Sequence, residues 1–278
     1  CEYRTAAGEY LGCEPLNVVP TAGCIEALRL AFGVTLGTDD EALLPKPSFG
    51  EYEREVRLQG ATPTFAAHDG LLDTDPAPYD AAVVCNPNNP TGDGYSRAEL
   101  VAYAERCRES DTVLIVDEAF LDFTDRRTLA GEPGVVVARS LTKIFGLPGL
   151  RMGMAIATDD LRDRLDTARP AWGLSMPAAD VGTYCLRRTK FVAETRDRVR
   201  RERRRMTDHL RDAFEVYPSE SPFLLLGVHD RPVRDVIDDA RREGIVVRDA
   251  TTFRGLDSHV RVAVRRPAEN DRLLDALV

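Results

Sequence analysis

Gly134-Val135-Val136-Val137-Ala138-Arg139 runs directly into Ser140-Leu141-Thr142-Lys143-Ile144-Phe145-Gly146-Leu147-Pro148-Gly149-Leu150-Arg151-Met152-Gly153. The first part is a short apolar run of the kind found in buried strands of a parallel sheet, and it delivers Lys143 into a tight, mostly apolar loop. An ammonium taken out of water is costly unless it is paired or becomes neutral, and a neutral amine is a nucleophile that forms an imine with an aldehyde. Ser140 and Thr142 place hydroxyl donors beside the amine, Arg151 follows as an anion binder, and Gly146, Gly149 and Gly153 admit close backbone approach. By itself the loop fits two readings: a lysine that takes an aldehyde cofactor such as pyridoxal phosphate, or a buried lysine in a glycine-rich loop with Arg151 in a surface ion pair.

Composition narrows the choice of nucleophile. The chain has only three lysines, Lys46, Lys143 and Lys190. Lys46 lies between two prolines in an expected loop and Lys190 precedes an amphipathic helix, so neither has comparable surroundings. With 278 residues, 43% of them hydrophobic, the chain can bury one sizeable core or divide into a larger and a smaller domain. No apolar run approaches the roughly 18 residues of a membrane span, and no basic-then-apolar leader is visible, so a cytoplasmic protein without a membrane partner is expected. A net charge of −9 argues against nucleic acid as a partner. The six cysteines lack a C-x-x-C pair, which favours reduced thiols and no metal site.

Outward from the opening stretch, residues 81–85 and 112–116 repeat the buried-strand pattern. The first empties into Asn86-Pro87-Asn88-Asn89-Pro90-Thr91-Gly92, where the Asn89 amide can donate to a phenolic oxygen. The second ends in Asp117-Glu118-Ala119-Phe120, delivering a carboxylate that can pair with a protonated pyridine nitrogen. Residues 17–28 read as a strand, a small-residue turn at Ala22-Gly23-Cys24 and a helix start whose amides attract phosphate, or as an ordinary helix capped by Thr21. Phe49 and Tyr52 are candidates to stack on a flat ring, Phe49 preferred, with packing in the core as the alternative.

Strand, loop and helix alternate over residues 15–170, which predicts a mainly parallel α/β sheet with helices on both faces and ligands at the strands' carboxyl ends. A long helix over 191–214 follows, with Val192, Val199 and Met206 inward and an arginine-rich solvated face. Strands over 221–226, 245–248 and 259–264 and helices from Val233 and Pro267 then predict a small α+β domain, from which Arg261 can bind a carboxylate. The expected organisation is residues 1–14 as a remnant of an N-terminal segment, 15–170 as the large domain, and 171–278 as the long helix with the small C-terminal domain. The chain opens at Cys1 without a methionine, so an upstream segment is expected.

Taken together, the Asn86-to-Gly92 loop, Asp117-Glu118-Ala119-Phe120, the lysine stretch and Arg261 resemble fold-type I pyridoxal-phosphate enzymes of the class I/II aminotransferase family. The similarity is greatest to the branch of histidinol-phosphate aminotransferases and threonine-phosphate decarboxylases, and extends to Arg248-Asp249 and Pro267-Ala268-Glu269-Asn270-Asp271-Arg272-Leu273-Leu274. The resemblance implies pyridoxal phosphate joined to Lys143, its ring nitrogen on Asp117 and its ring oxygen on Asn89. It further implies phosphate on Ala22, Gly23, Cys24, Ser140, Thr142 and Arg151, a ring covered by Phe49, and a substrate carboxylate on Arg261. A homodimer, and an N-terminal segment that closes over the substrate and lends a tyrosine across the interface, are implied as well.

One departure separates the branches. The aminotransferases usually have tyrosine where Phe120 stands, whereas the decarboxylases resemble this chain there and in Arg139-Ser140-Leu141-Thr142-Lys143. The expected function is therefore decarboxylation of L-threonine O-3-phosphate to aminopropanol phosphate, a cobalamin precursor. The alternatives are a histidinol-phosphate or related aminotransferase, and a truncated inactive homologue that binds the cofactor. Both named substrates are small phosphorylated compounds, so further arginines are expected at the site, Arg266 among the candidates.

Overall fold

The structure, a computed structural model, describes residues 2–278; Cys1 lies outside the described residues. Seven strands build one sheet: β1 (Val18–Thr21), β2 (Glu41–Lys46), β3 (Thr62–Ala67), β4 (Ala81–Cys85), β5 (Val113–Asp117), β6 (Val135–Ser140) and β7 (Gly153–Ile156). Their spatial order is β1-β7-β6-β5-β4-β2-β3. The β2–β3, β2–β4, β4–β5 and β5–β6 pairs are parallel, while β7 runs antiparallel to both β1 and β6.

The continuous apolar runs of β4, β5 and β6 follow from burial on both faces. Alternate residues Ala82, Val84, Leu114, Val116, Val135 and Val137 join a core with α1 (Glu2–Leu11) and α4 (Arg97–Glu109). Their neighbours Val83, Cys85, Ile115, Val136 and Ala138 join the opposite core with α2 (Cys24–Thr35) and α3 (Glu51–Leu58). A complete capping box starts α4, with Ser96 accepting from the Glu99 amide and Glu99 accepting from the Ser96 amide.

The register places the chemistry. Cys85 stands opposite Asp117, Asp117 opposite Ala138, Ser140 opposite Gly153, and Gly153 opposite Thr21. The loops leaving β1, β4, β5 and β6 therefore open on one edge of the sheet, where an open α/β sheet binds its ligands. Strand β7 goes beyond the sequence-based expectation: four residues after a glycine-rich loop are too few to show a period, and one of its two partners, β1, lies far back along the chain. The lysine stretch is thus the connection of the antiparallel β6–β7 pair.

After α5 (Asp159–Ala168) and α6 (Met176–Leu186), the long helix α7 (Thr189–Leu210) buries Val192, Val199 and Met206 as their seven-residue spacing predicts. Of its arginines, Arg200 pairs with Asp125 and Arg205 with Glu202 and Asp271. A second, antiparallel sheet follows, in the order β10-β11-β9-β8. It comprises β8 (Glu215–Val216), β9 (Phe223–Gly227), β10 (Arg248–Asp249) and β11 (His259–Ala263), covered by α8 (Val233–Arg242) and α9 (Pro267–Leu277). The strand expected over 245–248 is shorter than predicted, because Val246 is exposed and only Arg248 and Asp249 pair with β11. No helix among the described residues is long and apolar enough to cross a membrane.

Candidate cofactor and substrate site

At the carboxyl edge of the large sheet lies a cavity of about 400 Å³ lined by Cys24, Phe49, Asn89, Asp117, Phe120, Ser140, Thr142, Lys143, Arg151 and Arg261, among others. Residues separated by up to 237 positions in the chain meet there because register and crossover connections bring their loops together.

One end of the cavity is built as an anion cradle. Gly23 caps α2 with φ +93° and no side-chain hydrogen bond, leaving the first helical amides without a protein cap. Thr21 does not cap the helix; its hydroxyl donates to the Gly23 carbonyl at 3.0 Å. A Cβ at position 23 would stand 2.7 Å from the Arg151 guanidinium, so the glycine is what lets that cation close on the helix start. Ser140 is buried, and its Oγ lies 2.8 Å from Thr142 Oγ1 beside the same end. The Ala22 amide is used differently from the expectation: it donates to the Glu26 carboxylate, one turn along α2, which leaves Gly23 and Cys24 as the amides at the cradle.

Gly153 closes the cradle from below. A Cβ there would lie 2.6 Å from Gly23 C, 2.7 Å from Arg139 O and 2.8 Å from Cys24 N, all backbone atoms that cannot rotate away. Gly153→Ala is expected to destabilise the fold by about 2 kcal/mol or more, read as a lower denaturant midpoint in equilibrium unfolding. An unchanged midpoint would show that β7 can move off α2 at little cost.

Asp117 is 4% exposed and each of its oxygens has a donor. Oδ2 accepts from the Tyr52 hydroxyl at 2.7 Å, and Oδ1 accepts from the Ala119 amide at 2.9 Å and the Cys24 thiol at 3.4 Å. This corrects Tyr52 as an alternative stacker: it is 1% exposed, with its hydroxyl committed to Asp117, and meets Phe49 edge-on at 5.6 Å between centroids. Phe49, half-buried, is the member of the pair that faces the cavity.

In the Asn86-to-Gly92 loop two asparagines brace and one projects. Asn86 accepts from the Tyr95 amide at 2.9 Å, while Asn88 donates to Pro47 O and accepts from Ser48 Oγ, both at 2.9 Å. Asn89 instead reaches the cavity, where its Oδ1 accepts a hydrogen bond from Arg261 and its amide nitrogen is left to donate.

Arg261 projects from β11 between two rings, 4.8 Å from the Phe223 centroid and 5.7 Å from that of Phe253. Among the described residues no carboxylate pairs with it, and burial, with Arg248 adding, pulls its guanidinium down to about 10. It remains a cation at neutral pH, held in a site that an anionic ligand would relieve.

Lys143 departs from the expectation of a tight apolar setting. It is exposed, at the mouth of the cavity, with Nζ 5.3 Å from the Phe120 centroid. Leu141, Ile144 and Met152 of the loop are buried and Phe145 and Leu147 pack against the cores, so the apolar neighbours in sequence turn inward without enclosing the amine. A wider cleft of about 1180 Å³ continues from Lys143 and Arg261 past Arg248, Arg265 and Arg241. Arg266 does not line it, since it sits at the N-cap of α9. Arg265 does, as the two-residue period from Arg261 through Ala263 dictates, a signal already available in the sequence.

The arrangement has a counterpart among known proteins. The profile described as aminotransferase class I and II matches residues 1–277. Histidinol-phosphate aminotransferase 2 of Archaeoglobus fulgidus is 31% identical over 284 residues, covering 99% of this chain and 81% of that protein. Threonine-phosphate decarboxylase of Salmonella typhimurium is 34% identical over 257 residues, covering 85% and 70%. The crystal structure of L-threonine-O-3-phosphate decarboxylase from Porphyromonas gingivalis superposes with a TM-score of 0.89 at 27% identity, covering 99% of this chain and 86% of that one.

Proposed function

We propose that this chain, which belongs to the class I and II aminotransferase family of pyridoxal-phosphate-dependent enzymes, decarboxylates L-threonine O-3-phosphate to aminopropanol phosphate and carbon dioxide, a step that supplies cobalamin biosynthesis. The residues present suit the cofactor. The Gly23–Gly153 cradle beneath Arg151 fits a phosphate, a buried carboxylate stands in the cavity wall, and an amine stands at its mouth. Gly23, Cys24, Ser140, Thr142 and Arg151 would hold the phosphate, Asp117 the ring nitrogen, Asn89 the ring oxygen and Phe49 the ring face, with Lys143 as the attachment point.

When bound, the cofactor supplies an electron-accepting ring that stabilises negative charge at the α-carbon of an amino substrate. What this chain's residues do around it follows from their placement. Arg261 binds an anionic group of the substrate, and the arginines of the wider cleft receive the second. Phe120 and Phe223, in edge-to-face contact at 5.1 Å, present apolar surface beside the reacting centre. A carboxylate placed there loses hydration that neutral carbon dioxide does not need, which favours its departure. Lys143 Nζ, at the cavity mouth, delivers the proton that replaces carbon dioxide on the α-carbon.

The observation that carries the reading is Phe120. It leaves Asn89 as the donor for the ring oxygen and places a ring where the aminotransferases usually carry a phenol. A transferase acting on histidinol phosphate is the second reading, favoured by the 31% identity to such an enzyme over nearly the whole chain. A single-turnover reaction of the loaded protein with threonine phosphate separates them. Carbon dioxide release with the cofactor's absorbance restored is the expected outcome; conversion of the cofactor to its amine form without carbon dioxide would replace the lyase by the transferase.

A further inference from the structure

Tyr52 is buried behind the cavity wall and does not line it, yet its hydroxyl ends on the Asp117 carboxylate that does. Asp117 Oδ1 is held by the Ala119 amide and by the Cys24 thiol, whereas among the described residues the Tyr52 hydroxyl is the only donor to Oδ2. Burial, reinforced by the Asp117 charge, pushes the Tyr52 phenol well above its usual range, and the same causes push the Cys24 thiol up, so both remain protonated donors at any working pH. Phe49 and Tyr52 stand three residues apart at the start of α3 and touch edge-on, so one short stretch of chain sets both the aromatic face of the cavity and the orientation of its carboxylate.

We propose that Tyr52 is a positioning residue, which locks the plane of the Asp117 carboxylate so that it meets the ring nitrogen of the bound cofactor. Without its hydroxyl, Oδ2 loses its donor, the carboxylate turns about its last torsion, and the pairing with the nitrogen is weakened while the rest of the cavity is unaltered. The Tyr52→Phe substitution removes one oxygen and keeps the ring that packs against Phe49. This inference rests on the assignment of Asp117 to the ring nitrogen.

The test compares two ligands: pyridoxal phosphate, and its carbocyclic analogue in which CH replaces the ring nitrogen. Each is titrated into the parent protein and Tyr52→Phe, with dissociation constants read from absorbance, and melting of the cofactor-free proteins reports on the fold. The parent is expected to prefer pyridoxal phosphate, and Tyr52→Phe to bind it about tenfold more weakly while binding the analogue as the parent does. Equal weakening for both ligands would make Tyr52 a packing residue and overturn the proposal, as would no weakening for either. A parent that does not distinguish the two ligands would instead remove Asp117 from the ring nitrogen, and the functional reading would fall with it.

Discussion

Lys143→Ala is expected to lower turnover of threonine phosphate by about 10⁴-fold or more, with no loss of thermal stability. The reason for the first effect is that the proposed reaction asks two things of one amine, attachment of the cofactor and delivery of a proton to the α-carbon, and no neighbour can take over either. The other lysines are poorly placed to do so: Lys46 closes β2 and is exposed, and Lys190 sits at the start of α7 with an exposed ion pair to Glu194. The reason for the second is that Lys143 is exposed, so shortening it opens no cavity in the core. Borohydride reduction of the loaded parent, followed by peptide mass analysis, should place the cofactor on Lys143. A label on Lys46 or Lys190, or a Lys143→Ala variant within tenfold of the parent, would refute the assignment.

Asp117→Asn is the second large effect, expected at about 10²- to 10³-fold in turnover. The substitution conserves shape but removes the negative charge from a site that is 4% exposed. Breaking a buried charge pair costs about 3–5 kcal/mol, because the remaining charge is left without a partner in a poorly solvated place. The same change also turns an acceptor-only group into one that is half donor, opposite the Tyr52 hydroxyl, the Cys24 thiol and the Ala119 amide. Both turnover and cofactor retention through gel filtration should fall. A variant that holds pyridoxal phosphate as the parent does, with turnover within fivefold, would show that Asp117 does not pair with the ring.

These residues were legible in the sequence because each follows a feature with a local cause. Three apolar runs predict three buried strands, and the first polar residues after them, in Asn86-to-Gly92, at Asp117 and in the lysine loop, must emerge at one edge if the strands are parallel. The structure has that geometry, with Cys85 beside Asp117 and Asp117 beside Ala138. The glycines at 23 and 153 likewise appear as turn and loop residues, although that they face one another does not. The setting of Lys143 differs from the expectation because apolar neighbours in sequence are not its neighbours in space: Leu141 and Ile144 are buried in the core while Lys143 is exposed.

Other features depend on contacts that no local pattern encodes. The Tyr52–Asp117 hydrogen bond spans 65 residues and the Arg261–Asn89 bond spans 172, the latter joining the two sheets. Strand β7 pairs on both sides with strands whose own runs say nothing of it.

By itself the sequence determined the alternating α/β architecture, the carboxyl-edge position of Asn89, Asp117 and Lys143, and the shortage of rival lysines, since burial periodicity, turn chemistry and composition are properties of the chain's own neighbourhood. Only the tertiary structure decided that the Tyr52 hydroxyl bonds the Asp117 carboxylate, that Arg265 and not Arg266 enters the cleft, and that Arg261 sits half-buried with no carboxylate paired to it among the described residues. Register and packing between distant elements fix those choices, because a hydrogen bond or an ion pair forms only where two separately folded surfaces bring donor and acceptor within reach.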